Sequence, residues 1–134
     1  MKVYKDSINF KTSKGISFID MTEKISDAVS NSKVTNGIVF LFAPHATGAI
    51  IINEYESRLL IDIRKFLERL IPINESYEHP ENAPSHILSS FFRPSLVVPL
   101  TQGRLQLGTW QSIIWVEVEP WSRNRDVYIT IIGE

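Results

Sequence analysis

The sequence contains no cysteine. That absence excludes disulfide cross-links, thiolate nucleophiles and cysteine-ligated zinc, so any metal must be held by histidine, carboxylate or backbone oxygen. A long apolar run is missing as well. Nothing approaches the roughly 20 residues that cross a bilayer, and the opening MKVYKDSINF has no signal-peptide core, so a cytoplasmic chain without a membrane partner is expected. Neither sign of charge dominates: 14 basic residues face 15 acidic ones, which gives nucleic acid no broad positive field to follow. Nucleic acid is therefore not an expected partner. Glycine-rich phosphate loops of the GxxxxGK[ST] or GxGxxG type and the GxSxG elbow are also absent.

What is present is an ordinary globular composition, 43% hydrophobic and 22% charged, over a length suited to a single domain, residues 1–134. Val3 to Phe10 and Gly15 to Ile19 read as short strands joined by the polar turn KTSKG, a hairpin pattern. Asp20 precedes a helical spacing of Ile25, Ala28 and Val29, with Glu23 completing a capping pattern. The run GIVFLF, residues 37–42, is too short for a helix and predicts a buried central strand; AIIIN, residues 49–53, predicts another. Leu59, Ile63, Phe66, Leu67 and Leu70 form one helical stripe that Pro72 closes. A long loop INESYEHPENAPSH leads to a short helix at SHILSSFF, then to a hairpin of SLVVPL and RLQL about the turn TQGR. The last two segments, QSIIWVEVEP and RDVYITIIG, alternate as strands and predict an antiparallel pair across WSRN. Helices falling between groups of strands define the class as α+β with a mostly antiparallel or mixed sheet and two to three helices.

Candidate chemistry sits in the loops. His45 in APHATG, His79 in YEHPEN and His86 in APSHIL all lie outside the apolar stripes. Three histidines without cysteine are the ligand set of an open divalent site such as catalytic zinc, although composition alone favours ordinary surface or capping histidines. Glu54 reads either as a first-turn acid of the following helix or as a general base beside the histidines, and Asp62 as a boundary residue of that helix. Asn82 and Gln111 suit a polar ligand or a turn equally. Arg123 and Arg125 read as a solvated turn or as a fork for phosphate oxygens, and Trp110 as core packing.

The runs PHATGAIIINE, YEHPENAPSH and QGRLQLGTWQ, followed by an arginine-containing turn ahead of VYITIIGE, resemble the YjbQ-like family in order and spacing along the whole chain. The resemblance implies a curved, mostly antiparallel or mixed β-sheet sandwich packed with helices, assembled as a homotrimer with a histidine pocket near a subunit boundary. It also implies weak thiamine-phosphate synthase activity, with a phosphorylated small molecule as ligand. On that pattern His45, His79 and His86 would serve as catalytic groups or as ligands of a divalent metal, zinc or magnesium, with Glu54 beside them. Thr47, Asn82, Gly108, Thr109, Gln111 and Arg125 would bind substrate and phosphate. A metal-dependent hydrolase using a histidine-bound water and a non-catalytic metal- or phosphate-ligand-binding protein are the alternatives. The chain departs from the pattern at His45-Ala46-Thr47, where relatives carry two hydroxyl residues, and at Pro84, which stiffens the approach to His86.

Overall fold

The computed structural model describes all 134 residues. Eight strands and three helices follow one another as β1 (Lys2–Lys11), β2 (Ser17–Asp20), α1 (Thr22–Ser32), β3 (Gly37–Phe42), β4 (Ala49–Asn53), α2 (Ser57–Leu70), α3 (Ala83–Ser90), β5 (Ser95–Thr101), β6 (Arg104–Leu105), β7 (Ser112–Glu117) and β8 (Asn124–Gly133). The strands form a five-stranded sheet, order β1-β8-β3-β5-β6, and a three-stranded sheet, order β2-β7-β4. Every pairing is antiparallel.

The main core lies between the two sheets. Val39 and Leu41 of β3 and Val127, Ile129 and Ile131 of β8 meet Ile50 of β4 and Ile113 and Trp115 of β7, while Met21, Ile25 and Val29 bring α1 into the same cluster. On the far side of the small sheet, Val116 and Val118 pack against Leu67 of α2 and Leu88 of α3. Strand β7 is thus covered on both faces, which is why Ile113 to Glu119 are all buried.

Local chemistry explains the boundaries. Asp20 accepts the amide and hydroxyl of Thr22 at the start of α1, and the Glu56 carboxylate accepts the Leu59 amide at the start of α2. Gln102 (φ 53°) and Gly103 (φ 73°) give two consecutive left-handed residues, the geometry that closes the tight β5–β6 hairpin.

Two expected hairpins do not form. Strand β1 pairs with β8, not β2, and β7 pairs with β2 and β4, not β8. The polar segments KTSKG and WSRN carry the chain from one sheet to the other: Thr12 and Arg123 bond each other across the corner, and the Gly15 amide reaches the Glu119 carbonyl. Strand β3 is central but buried on one face only. Its outward residues Ile38, Phe40 and Phe42 are exposed, beside Val97 of β5 and Tyr128 of β8, and this sheet presents an apolar outer surface.

Candidate functional site

Register places three inter-sheet crossings, residues 12–16, 43–48 and 118–123, at one end of the sandwich. Lys11 lies opposite Asn124 and Phe42 opposite Tyr128, while Ser17 lies opposite Glu117 and Ala49 opposite Val116. Loops clustered at one end of a rigid scaffold are where binding groups are commonly carried.

The centre of that end is Glu117, whose side chain is wholly buried. Its Oε1 accepts from Trp115 Nε1 (3.1 Å) and Arg125 Nε (2.8 Å), and its Oε2 accepts from Arg125 Nη2 (2.6 Å) and the amides of Val118 and Glu119. Burial pushes this carboxyl upward, yet the Arg125, Glu119 amide and Trp115 donors together outweigh it and hold the group below its ordinary range. Arg125 comes from β8, so the pair ties one sheet to the other. Arg125 Nη2 also donates to Thr47 Oγ1 (3.1 Å), which leaves the Thr47 hydroxyl proton to be donated elsewhere. The turn before β4 fits this arrangement closely. Gly48 adopts φ 91°, and a methyl group there would fall 2.2 Å from the Trp115 indole.

His45 is half-buried on the same crossing as Thr47, with its ring edge-on to Trp115 at 6.1 Å between centroids. Its Nε2 accepts the Asp126 amide (2.9 Å), which assigns the ring proton to Nδ1. Burial first, and then the positive charge of Arg125, lower its pKa below 6.5, against the opposing pull of Asp126 and Glu117. His45 is therefore a neutral Nδ1–H donor at pH 7.

A second chain of bonds leaves from Glu119. Asn82 Nδ2 donates to Glu119 Oε1 (2.9 Å), and Asn82 Oδ1 lies 3.0 Å from His79 Nε2, which must then carry a proton. The other oxygen of Glu119 meets Arg123 Nη2 at 3.3 Å, and Arg123 lies over the Trp121 ring. The His79 and His86 rings stand edge to face with centroids 5.2 Å apart. Asn82 binds the Glu119 carboxylate and the Glu119 backbone amide binds Glu117, so Glu119 itself joins the His79–Asn82 pair to the Glu117–Arg125–Thr47 group.

The remaining sequence candidates lie elsewhere. Gly108, Thr109 and Gln111 form an exposed turn before β7, closed by Gln111 Oε1 on the Gly108 amide (2.7 Å). Asn53, next to Glu54, pairs with Ser112, so Glu54 also lies at this opposite end. The two groups of residues are separated by the length of β7, about 17 Å at strand rise. Trp110 is not core: it is 72% exposed on the same turn. Within one chain no three or more histidines and carboxylates come together as a metal site, so the expected three-histidine centre is not assembled by a single copy. Its three rings stand in two settings, His45 against Trp115 and His79 against His86.

Sequence reasoning missed the two residues that organise the site. Glu117 and Glu119 stand in WVEVEP, where a carboxylate at every second place of an apolar strand is itself a signal. Buried acids need strong donors, and the nearby Arg123 and Arg125 are the matching charges.

Fold and geometry together define a small α+β protein with antiparallel sheets, in which a buried arginine–carboxylate pair and a half-buried histidine lie at the crossing end. The chain belongs to the UPF0047 YjbQ-like family, whose model matches residues 6–134. It is 39% identical to a UPF0047 protein of Methanothermobacter thermautotrophicus, covering 100% of this chain and 95% of that one. A UPF0047 protein of Methanocaldococcus jannaschii is 40% identical, covering 92% and 91%. Among solved structures, a YbjQ-like protein of unknown function from Sulfolobus solfataricus P2 superposes with a TM-score of 0.93 at 34% identity, covering 99% of both chains. An uncharacterised YjbQ/UPF0047 protein from Clostridium acetobutylicum gives 0.88 at 36% identity, covering 95% and 99%. No helix of this chain is long and apolar enough to cross a membrane.

Proposed function

We propose that the chain acts on a phosphorylated small molecule as a homotrimer, and that thiamine-phosphate synthesis is a reaction it performs weakly. The observation that carries this reading is that one crossing holds a neutral His45 Nδ1–H and, two residues on, the Thr47 hydroxyl. Both are fixed from behind by Asp126 and Arg125, leaving two uncharged donors for a phosphate. Arg125 is engaged by Glu117, so its part is to orient Thr47 and keep His45 unprotonated, not to bind phosphate directly. In the synthase reaction the thiazole nitrogen forms a bond to the pyrimidine methylene carbon. The carbon–oxygen bond to diphosphate breaks, and its electron pair leaves with diphosphate. Donors at the phosphate oxygens stabilise that departing charge, which is the one large demand of the reaction.

The trimer completes the site in this reading. A cyclic assembly uses heterologous contacts, in which two different patches of the chain meet, and the two ends of β7 are the patches this reading joins. Gly108, Thr109 and Gln111 of one copy then meet His45 and Thr47 of the next. Support comes from the apolar outer face of the large sheet, a contiguous patch of the kind that marks an interface, and the exposed Trp110 on that turn adds to it. A second reading, metal-dependent hydrolysis, draws on the His79–His86 pair. Two imidazoles provide half of a tetrahedral zinc site, and a neighbouring copy would supply the rest.

The test is subunit complementation with hydroxymethylpyrimidine diphosphate and thiazole phosphate. His45→Gln and Gln111→Ala are each expected to lose turnover. Equal mixing by reversible dissociation should restore roughly one quarter of wild-type sites, the statistical share of interfaces joining two intact halves. No recovery in verified mixed trimers would overturn the shared site, and unchanged turnover in His45→Gln would overturn the assignment of His45.

A further inference from the structure

A cavity of about 770 Å³ opens beside the crossing end, between α2, α3 and the loop that joins them, and its lining does not include His45 or Thr47. Its walls are the C-terminal half of α2, the loop 71–82, the first turns of α3 and the crossings near residues 15 and 119. Leu88, Val118, Ile16 and Ile71 provide an apolar floor that continues the small core beneath α2. Tyr77 stands in the loop wall, held by its hydroxyl to the Pro72 carbonyl. Cavities of roughly 300–1,000 Å³ with apolar linings and a few placed polar groups are the usual form of a small-molecule site.

The polar lining sets the ligand's charge. Arg64 faces Glu68 at 3.7 Å, so those two largely answer each other. The remaining charged lining residues are one cation, Lys14, and two carboxylates, Glu75 and Glu81, the latter 3.7 Å from His79 Nδ1, which leaves one carboxylate in excess around the apolar floor. A phosphate or carboxylate entering there would be desolvated beside carboxylates, whereas an amine would gain a partner. Asn82 lines the same cavity while holding both His79 and Glu119, so an occupant touches the residue that orients His79.

We infer that this cavity binds an aromatic or heterocyclic amine: an apolar ring body on Leu88, Val118 and Tyr77, with its cationic group toward Glu75 and Glu81. The cavity shares no lining residue with His45 or Thr47, though Asn82 joins the two regions, and it takes the opposite charge class. Calorimetric titration of the full chain with naphthylmethylamine, naphthalenemethanol and naphthoate, which share one ring body, tests it. The amine is expected to bind at least about tenfold tighter than the acid, with the alcohol between. Tyr77→Ala should weaken all three, and the double variant Glu75→Gln/Glu81→Gln should bring amine and acid close to parity without changing the circular dichroism of the fold. Naphthoate binding as tightly as the amine, or amine binding untouched by both variants, would overturn the assignment. Because the titration needs no turnover, its failure leaves the His45 reading standing, and the reverse is also true.

Discussion

The two ends of strand β7 differ in how completely a single chain satisfies them. At the Glu117 end five donors surround one buried carboxylate, and nothing further is needed to hold it. At the Ser112 end a polar turn projects a tryptophan that is 72% exposed. The first end is preorganised, because the polar groups around Glu117 were desolvated during folding and found partners, the buried Ser17 hydroxyl opposite it being the exception. The second leaves its indole in solvent, with no partner from the same chain. The contrast teaches that rigidity and exposure are divided between the ends, and that a site needing both must join them.

The largest expected effect breaks the first end. Glu117→Gln leaves the Arg125 charge buried and half-partnered, which should cost about 3–5 kcal/mol in urea unfolding at fixed chain concentration. A loss within about 0.5 kcal/mol would mean that the inter-sheet pair is replaceable by any hydrogen-bonding side chain.

A smaller effect is expected from pH. His45 has a folded pKa below its unfolded value of 6.5, so the unfolded chain takes up the proton first as pH falls. Its contribution is fully present above pH 6.5 and is lost through the folded pKa below that. Glu117 behaves in the same sense at lower pH, from its unfolded 4.5 downward. Stability curves for wild type and His45→Gln should diverge just below pH 6.5, and parallel curves would show that the ring is not held neutral by its surroundings.

The smallest effect on the fold, and the sharpest on the comparison, belongs to Trp110→Ala. Monomer stability should move by less than about 0.5 kcal/mol, as for other exposed positions. Light scattering should nevertheless show assemblies falling toward the 15.3 kDa chain mass. Intact trimers in this variant would count against the turn as a contact between copies.

Much of the architecture was legible in the sequence because local periodicity survives folding. GIVFLF and AIIIN form strands at the expected residues, and the stripe ending at Leu70 forms α2. What local pattern cannot carry is the choice of partner strand. KTSKG and WSRN have turn composition whether they close a hairpin or cross between sheets, and only the global packing decides. The same blindness misplaced Trp110, since an indole in a short motif has the same letters inside or outside the core. The site was half visible. His45 marked the crossing end, whereas His86 falls inside α3, and Glu117 and Glu119 lay hidden in a segment whose alternation drew attention to its apolar face.

Gly48 carries a consequence for how this region can vary. With the indole of Trp115 2.2 Å from where a methyl would sit, and that indole bonded to Glu117, the turn works as a feeler gauge set against the sheet. A side chain of any size at position 48 would tilt the ring, slacken its grip on the carboxylate and disturb the neighbouring imidazole, several bonds from the altered atom. In a saturation library, position 48 should therefore read as an all-or-nothing column, while the exposed Ala46 two places before it accepts most letters.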